Sequence, residues 1–371
     1  MPGAFGDAIL TVPVVLNGPG RVGREFIRLL EEEAGWIASN TGRRPVLCAV
    51  VSRRGILVSR SGLSLSQVLV WLGGGRVGGA GGADAEGPVL RAGEACVLPP
   101  DEYTRMLDLV AQDCPGIVVE ATPTDLVTGE PGLSHMLAAL GRGFSAVSLA
   151  KGALVLAFGR LRDLARSKCA SLKYSGAVAA ALPTVDTAVY SMAGAGITEI
   201  EGVLNGTTNF ILNAMSEGKP YYLALQEAQA RGVAEADPRL DVEGWDSAAK
   251  LLIIANTVWD LDMRLEEVQR SGVTELDAGY VRERFLKGTP VRLVARARMA
   301  ESMVRARLTV KPEVVPASHP FANLPGTAKA VRFKSKNMGE VTVSGGASDV
   351  TGAAAAALKD VIHILEERKR R

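Results

Sequence analysis

Residues 11–33 read TVPVVLNGPGRVGREFIRLLEEE. A valine-rich apolar run, Thr11 to Leu16, stops at a turn carrying Gly18, Gly20 and Gly23 and resumes as a segment, Arg24 to Glu33, whose apolar residues recur at helical spacing. A strand that ends in GxGxxG and opens a helix aims backbone N–H groups and the positive helix end at a pyrophosphate. In a chain with 41 glycines the bare spacing arises by chance about half a time, so context decides. A second copy, Gly73, Gly75 and Gly78, runs on into more glycine and cannot open a helix.

The pattern repeats outward from that stretch. Apolar runs at Pro45 to Val51, Ile117 to Glu120 and Ala146 to Leu149 alternate with helical segments such as Thr124 to Leu140, predicting a buried parallel sheet covered on both faces. Gly73 to Gly87 has almost nothing to bury and reads as a surface loop. After Tyr174 the texture changes to glycine-punctuated strands, Ile197 to Leu204, Val291 to Met299, Val304 to Lys311, Ala328 to Lys334 and Glu340 to Ser344, with helices at Tyr221 to Arg231 and Asp246 to Trp259. The expected fold is therefore an α/β Rossmann-type dinucleotide-binding domain, residues 1–172, plus an α+β domain with a mostly antiparallel sheet, residues 173–344. An alanine-rich helix, Ala353 to Glu367, is expected to return to the first domain, so that 345–371 completes it.

With 42 basic and 40 acidic residues the net charge of +2 advertises neither nucleic acid nor a membrane surface. No apolar run is long enough to span a bilayer. Cys48, Cys96, Cys114 and Cys169 form no CxxC pair, which argues against zinc or a disulfide framework and for a reducing, cytoplasmic setting.

Where a cofactor-reading acid is expected after the second strand, the chain has Ser52, Arg53 and Arg54. Two arginines favour the 2′-phosphate of NADP(H), with NAD(H) as second choice. Further on, residues 228–255, AQARGVAEADPRLDVEGWDSAAKLLIIA, crowd Glu235, Asp237, Asp241, Glu243 and Asp246 ahead of Lys250. Asp246 and Lys250 are spaced i,i+4 and share a helix face; by itself that spacing is most often a surface ion pair. Asp237-Pro238 and Gly244, however, impose an irregular backbone that is expected to gather several carboxylates near the one lysine.

Ala228, Gly232, Asp237-Pro238, Asp241, Gly244, Asp246 and Lys250 together reproduce the signature of homoserine dehydrogenases. Asn205 to Leu212, NGTTNFIL, resembles that family's NGTTNYIL segment, and His319 to Leu324, HPFANL, resembles its HPLANV segment. The resemblance spans nearly the whole chain and implies the interconversion of L-aspartate 4-semialdehyde and L-homoserine in threonine, methionine and isoleucine biosynthesis. It implies substrate contacts from Glu235, Asp241, Gly206 and Thr207, with Lys250, Asp246 and Lys151 as the catalytic set. Lys250 would protonate the carbonyl oxygen as hydride arrives from the nicotinamide. The cofactor would meet Gly18, Gly20, Arg21, Val22, Gly23, Arg53, Arg54, Thr122, Lys151 and Gly346, and the working form would be a homodimer whose surface the apolar strands of the second domain supply. Neither an aspartate kinase nor an ACT domain is expected in this chain.

Departures from the family pattern fall on the cofactor side. Ala150 stands where the family has an asparagine before Lys151. The EASVGGGIP-like loop reads SGAVAAALP from Ser175 to Pro183. Ser175 replaces the glutamate that holds a structural sodium ion in relatives, which argues against that ion and leaves only backbone carbonyls around Val178 and Ala180 to hold one. Asp349, in Gly345-Gly346-Ala347-Ser348-Asp349, lies where relatives approach the cofactor. Two rivals follow: a related amino-acid semialdehyde dehydrogenase, and an NADP-binding homologue with impaired catalysis.

Overall fold

The computed structural model describes residues 9–75, 77, 95–111, 114–300, 305–346 and 349–369. Two compact units emerge, one of residues 1–176 with 350–371 and the other of residues 177–349.

The first unit holds a seven-stranded sheet. Its strands are β1 (Leu10–Asn17), β2 (Arg43–Ser52), β3 (Gly55–Ser59), β4 (Ala95–Leu98), β5 (Ile117–Glu120), β6 (Ser145–Ser148) and β7 (Leu172–Lys173), in the order β4-β3-β2-β1-β5-β6-β7. β1, β2, β5, β6 and β7 run parallel. Alternation along β1 sends Val12, Val14 and Leu16 to one face, against Phe26, Ile27 and Leu30 of the Arg21–Thr41 helix and against Ala357, Leu358 and Val361 of the Val350–Lys369 helix. Val15 faces the other way, into a core shared with Met106, Leu107, Ala139 and Phe144. Because β1 neighbours β2 on one side and β5 on the other, the carboxyl ends of the parallel strands open a crevice beside Asn17 and Gly18.

Two expectations need correction here. The sheet is not wholly parallel: β3 and β4 extend it as an antiparallel edge, and Arg53 and Arg54 form the hairpin turn between β2 and β3. Nor is Thr124 to Leu140 one helix. The Asp125 carboxylate takes the backbone N–H groups of Val127 (2.7 Å) and Thr128 (3.1 Å), Gly129 turns left-handed, and the helix starts only at Gly132, behind Pro131. The Gly73 to Gly87 stretch lies mostly outside the described residues.

The second unit is a six-stranded sheet of β8 (Ile197–Val203), β9 (Val268–Arg270), β10 (Val291–Met299), β11 (Ala306–Val314), β12 (Lys329–Ser335) and β13 (Gly339–Gly345), in the order β13-β12-β8-β10-β11-β9 and antiparallel except at β11/β9. The Gly206–Ser216 and Trp245–Trp259 helices cover one face. On the other, Arg296 and Arg298 of β10 and Arg332 and Lys334 of β12 stand directly across from Glu201 and Glu199 of β8. Ion pairs join them, with Arg298 3.1 Å from Glu199 and Arg332 Nε 2.6 Å from Glu201. That face of the sheet therefore presents charges of both signs along β12, β8 and β10, not the apolar surface expected of it. Among the described residues no helix is long and apolar enough to cross a membrane.

Candidate active site

In the second unit the acidic segment folds around Gly244. This residue sits at φ +85°, a left-handed conformation that only glycine adopts without strain, and it turns the chain from the short Arg239–Val242 helix into the Trp245–Trp259 helix. Asp246 then occupies the first turn, where the helix dipole favours a carboxylate, and Lys250 follows one turn later. Their charged groups are 2.6 Å apart. The Lys250 ammonium also donates to the Leu204 carbonyl (2.9 Å), leaving one of its three N–H donors for a bound group. Arg270 lies over the Trp245 ring, its guanidinium carbon 3.2 Å from the centroid, and donates to the Glu243 carbonyl (2.8 Å), bracing this turn.

Asn205 connects the parts. Its side-chain amide donates to Asp241 Oδ1 (2.6 Å) and Asp246 Oδ2 (2.9 Å), while its oxygen accepts the Thr208 N–H (2.8 Å) and caps the Gly206–Ser216 helix. Burial and the nearby Asp246 carboxylate push the Asp241 carboxyl above its ordinary range; bonds from Asn205 and Thr207 and the Lys250 charge pull against that rise. The single hydroxyl proton of Thr207 is shared between Asp241 and the Val233 carbonyl (3.0 Å), and a Cβ on Gly206 would come 2.9 Å from the Thr327 carbonyl. The remaining acids of the segment stand apart from this cluster. Glu235 is exposed, Asp237 pairs with Arg239 (2.5 Å), and Glu243 accepts from the Trp245 indole (3.2 Å). Of the several carboxylates expected to gather at the lysine, Asp241 and Asp246 are the ones that do.

The NGTTN and HPFAN segments meet each other. Asn209 Nδ2 lies 3.1, 2.9 and 3.1 Å from the carbonyls of Leu324, Gly326 and Ala328, and the buried Arg292 donates to those of Phe321 (3.1 Å) and Ala322 (2.8 Å). These side chains fix the loop that supplies Thr327 to the back of Gly206.

In the first unit the glycine turn has the geometry of a phosphate cradle. Gly18, at φ +88°, lies so close to the next strand end that a Cβ would come 2.7 Å from the Ala121 carbonyl, and on Gly23 one would strike the Gly18 carbonyl at 2.3 Å. Gly20 is the opposite case: nothing lies within 4 Å of its missing Cβ, and the helix that begins at Arg21 has no side-chain cap, so its first N–H groups are open to a ligand. The residues present fit a dinucleotide. Arg21 is exposed and Val22 half-buried beside that helix end. Arg53 is exposed and bonds to no described residue, whereas Arg54 donates to the Leu72 carbonyl. Thr122 donates its N–H to Glu120 (2.9 Å), and Lys151 leads the Gly152–Ser167 helix with its N–H on Thr124 Oγ1 (3.2 Å).

The groups considered for a structural sodium ion already have protein partners. The Ser175 hydroxyl is engaged by Asp360 and Lys359, both at 2.8 Å, and in the second unit the ammonium of the buried Lys329 already occupies the Ala179 carbonyl at 2.8 Å, between Val178 and Ala180. Gly346 backs against Leu182, whose nitrogen lies 2.7 Å from where a Cβ would stand. Ala150 is buried, and its carbonyl accepts from Ser148 (2.7 Å).

Known proteins resemble this chain along most of its length. A family model described as homoserine dehydrogenase matches residues 183–362. The NAD(+)-dependent homoserine dehydrogenase of Pseudomonas canavaninivorans is 36% identical over 281 residues, 75% of this chain and 79% of its own. That of Mycobacterium tuberculosis is 32% identical over 361 residues, 96% of this chain and 73% of its own. A crystal structure of a putative homoserine dehydrogenase from Archaeoglobus fulgidus matches with a TM-score of 0.78 at 30% identity, covering 95% of this chain and 99% of that one.

Proposed function

The chain belongs to the homoserine dehydrogenase family and is an NAD(P)-dependent oxidoreductase, and from that premise we propose how its own residues carry the reaction between L-aspartate 4-semialdehyde and L-homoserine. The observation that carries the reading is the hydrogen-bonded set Asp241, Asn205, Asp246 and Lys250. Bound nicotinamide supplies the hydride. Lys250, oriented by Asp246 and the Leu204 carbonyl, gives its remaining N–H to the substrate carbonyl oxygen and passes a proton to the alkoxide as it forms. Asp241 holds the α-ammonium end, and the Gly206-Thr207 turn contacts the substrate. Lys151, in the nucleotide-binding unit, is assigned to the cofactor.

NADP(H) is the preferred cofactor. Arg53 supports this, as an exposed guanidinium at the tip of the β2–β3 turn, suited to a bidentate bond with a 2′-phosphate. The enzyme serves threonine, methionine and isoleucine biosynthesis in the cytoplasm as a homodimer, seated through the charged face of the second unit's sheet rather than through an apolar one. Incubating the protein with L-homoserine and either NADP or NAD and following absorbance near ~340 nm tests the reading. Reduced cofactor should form faster with NADP, and Arg53→Ala should raise the NADP KM about tenfold while leaving the NAD KM alone. No reduction with either cofactor would sink the proposal.

A further inference from the structure

Beneath the Gly18 turn lies a polar cluster that the sheet does not need. Glu120, the last residue of β5, is 0% exposed, and among the described residues no lysine or arginine pairs with it. Its Oε1 accepts both the N–H (2.9 Å) and the hydroxyl of Thr122. Its Oε2 accepts from Asn17 Nδ2 (3.0 Å) and lies 2.9 Å from His135 Nδ1. Asn17 also donates to the Tyr103 hydroxyl (2.9 Å), and the Tyr103 ring stacks on His135 with centroids 4.4 Å apart. Every acceptor position of the carboxylate is used. Burying such a group without a permanent cation is costly, and an apolar residue of similar size would stabilise the sheet more simply.

What the carboxylate does is visible from its neighbours in the chain. Asn17 immediately precedes Gly18, and Thr122 follows Ala121, whose carbonyl occupies the space a Gly18 Cβ would need. One side chain thus ties together the two backbone turns that border the crevice where β2 and β5 leave β1 on opposite sides. We infer that Glu120, held by His135, is the positioning residue of the dinucleotide site: it fixes the Gly18 turn against the Ala121-Thr122 turn and so governs cofactor affinity rather than the chemical step. The inference rests on the reading that this crevice takes the cofactor.

Glutamine at this position keeps the size but turns one acceptor into an NH2 donor facing other donors. Fluorescence titration of the full chain with NADPH and with NADH measures the effect. Glu120→Gln should raise Kd about tenfold, and His135→Phe, which keeps the stack on Tyr103 but loses the bond to Glu120, about threefold. Both should keep kcat at saturating cofactor within about twofold of the parent. Unchanged Kd in Glu120→Gln, or a fall in kcat with Kd unchanged, overturns the inference. If Glu120→Gln does not fold, His135→Phe decides alone, and a parental Kd overturns it equally. A parent protein that binds neither cofactor overturns the reading of the crevice itself, and this inference with it.

Discussion

Lys250 and Asp246 stand one helical turn apart with 2.6 Å between ammonium and carboxylate, and their side chains are only 14% and 13% exposed. An ion pair so withdrawn from water is not the screened surface pair that i,i+4 spacing usually produces. Lys250→Ala should lower kcat by about a thousandfold, within the range seen for loss of a general acid, while the Kd for NADPH stays within about twofold. Ordinary kcat in the variant would refute the proton-donor role.

Asn205 is predicted to matter for both stability and rate. In Asn205→Ala the Gly206–Ser216 helix loses its cap and the Asp241 and Asp246 carboxylates lose their shared donor. Urea unfolding should show a loss of about 1–3 kcal/mol, and kcat should fall. Asn205→Asp keeps the capping oxygen but places a third carboxylate against two others. Its kcat should fall at least about tenfold, and a variant as active as the parent would mean the bridge is dispensable.

The raised Asp241 carboxyl fixes the sign of a pH effect. A folded pKa above the unfolded one means that the native state holds the proton more tightly, so stability falls as pH rises from the ordinary carboxylate range through the raised value. Above the ordinary carboxylate range this carboxyl is therefore a net cost. Asp241→Asn should raise the urea midpoint at pH 7 and flatten that part of the stability profile, while kcat/KM for homoserine drops. A lowered midpoint at pH 7 would contradict the assignment.

Lys329 is predicted to make the protein indifferent to sodium. With its ammonium on the Ala179 carbonyl, exchanging NaCl for choline chloride at constant ionic strength should leave Tm and activity unchanged. Lys329→Met should cost about 1–3 kcal/mol by orphaning that carbonyl. A parent Tm that climbs with sodium but not with choline would show that an ion binds after all.

The strands β1, β2, β5 and β6 and the glycine turn are legible in the sequence because their signals are local: a valine run, a turn and an apolar stripe all lie within Thr11 to Glu33. The Trp245–Trp259 helix and the strands β8 and β10 to β13 are readable for the same reason, whereas the three-residue β9 is too short to show a period. The site is only half legible. Five acids precede Lys250 in the sequence, but which of them reach it depends on Gly244 and on Asn205, whose partners lie 36 and 41 residues away. Glu120 reads as the end of an apolar strand, and nothing local announces that Asn17 and His135 will converge on it. Thr124 to Leu140 is misread because Asp125 draws backbone donors away from a helix that composition alone favours.

The helix Val350–Lys369 adds Ala354, Ala357, Leu358, Val361, Ile364 and Leu365 to the core built on Val14, Leu16 and Phe26. During synthesis, therefore, the part of the protein made first is finished last. The nascent nucleotide-binding sheet waits with one flank of leucine, isoleucine and phenylalanine uncovered while the whole of the second unit, complete in its strands by Gly345, leaves the ribosome. A product stopped before Val350 would carry that sticky flank permanently, and quality-control proteases would meet it as an unfinished protein even though most of its residues had been made.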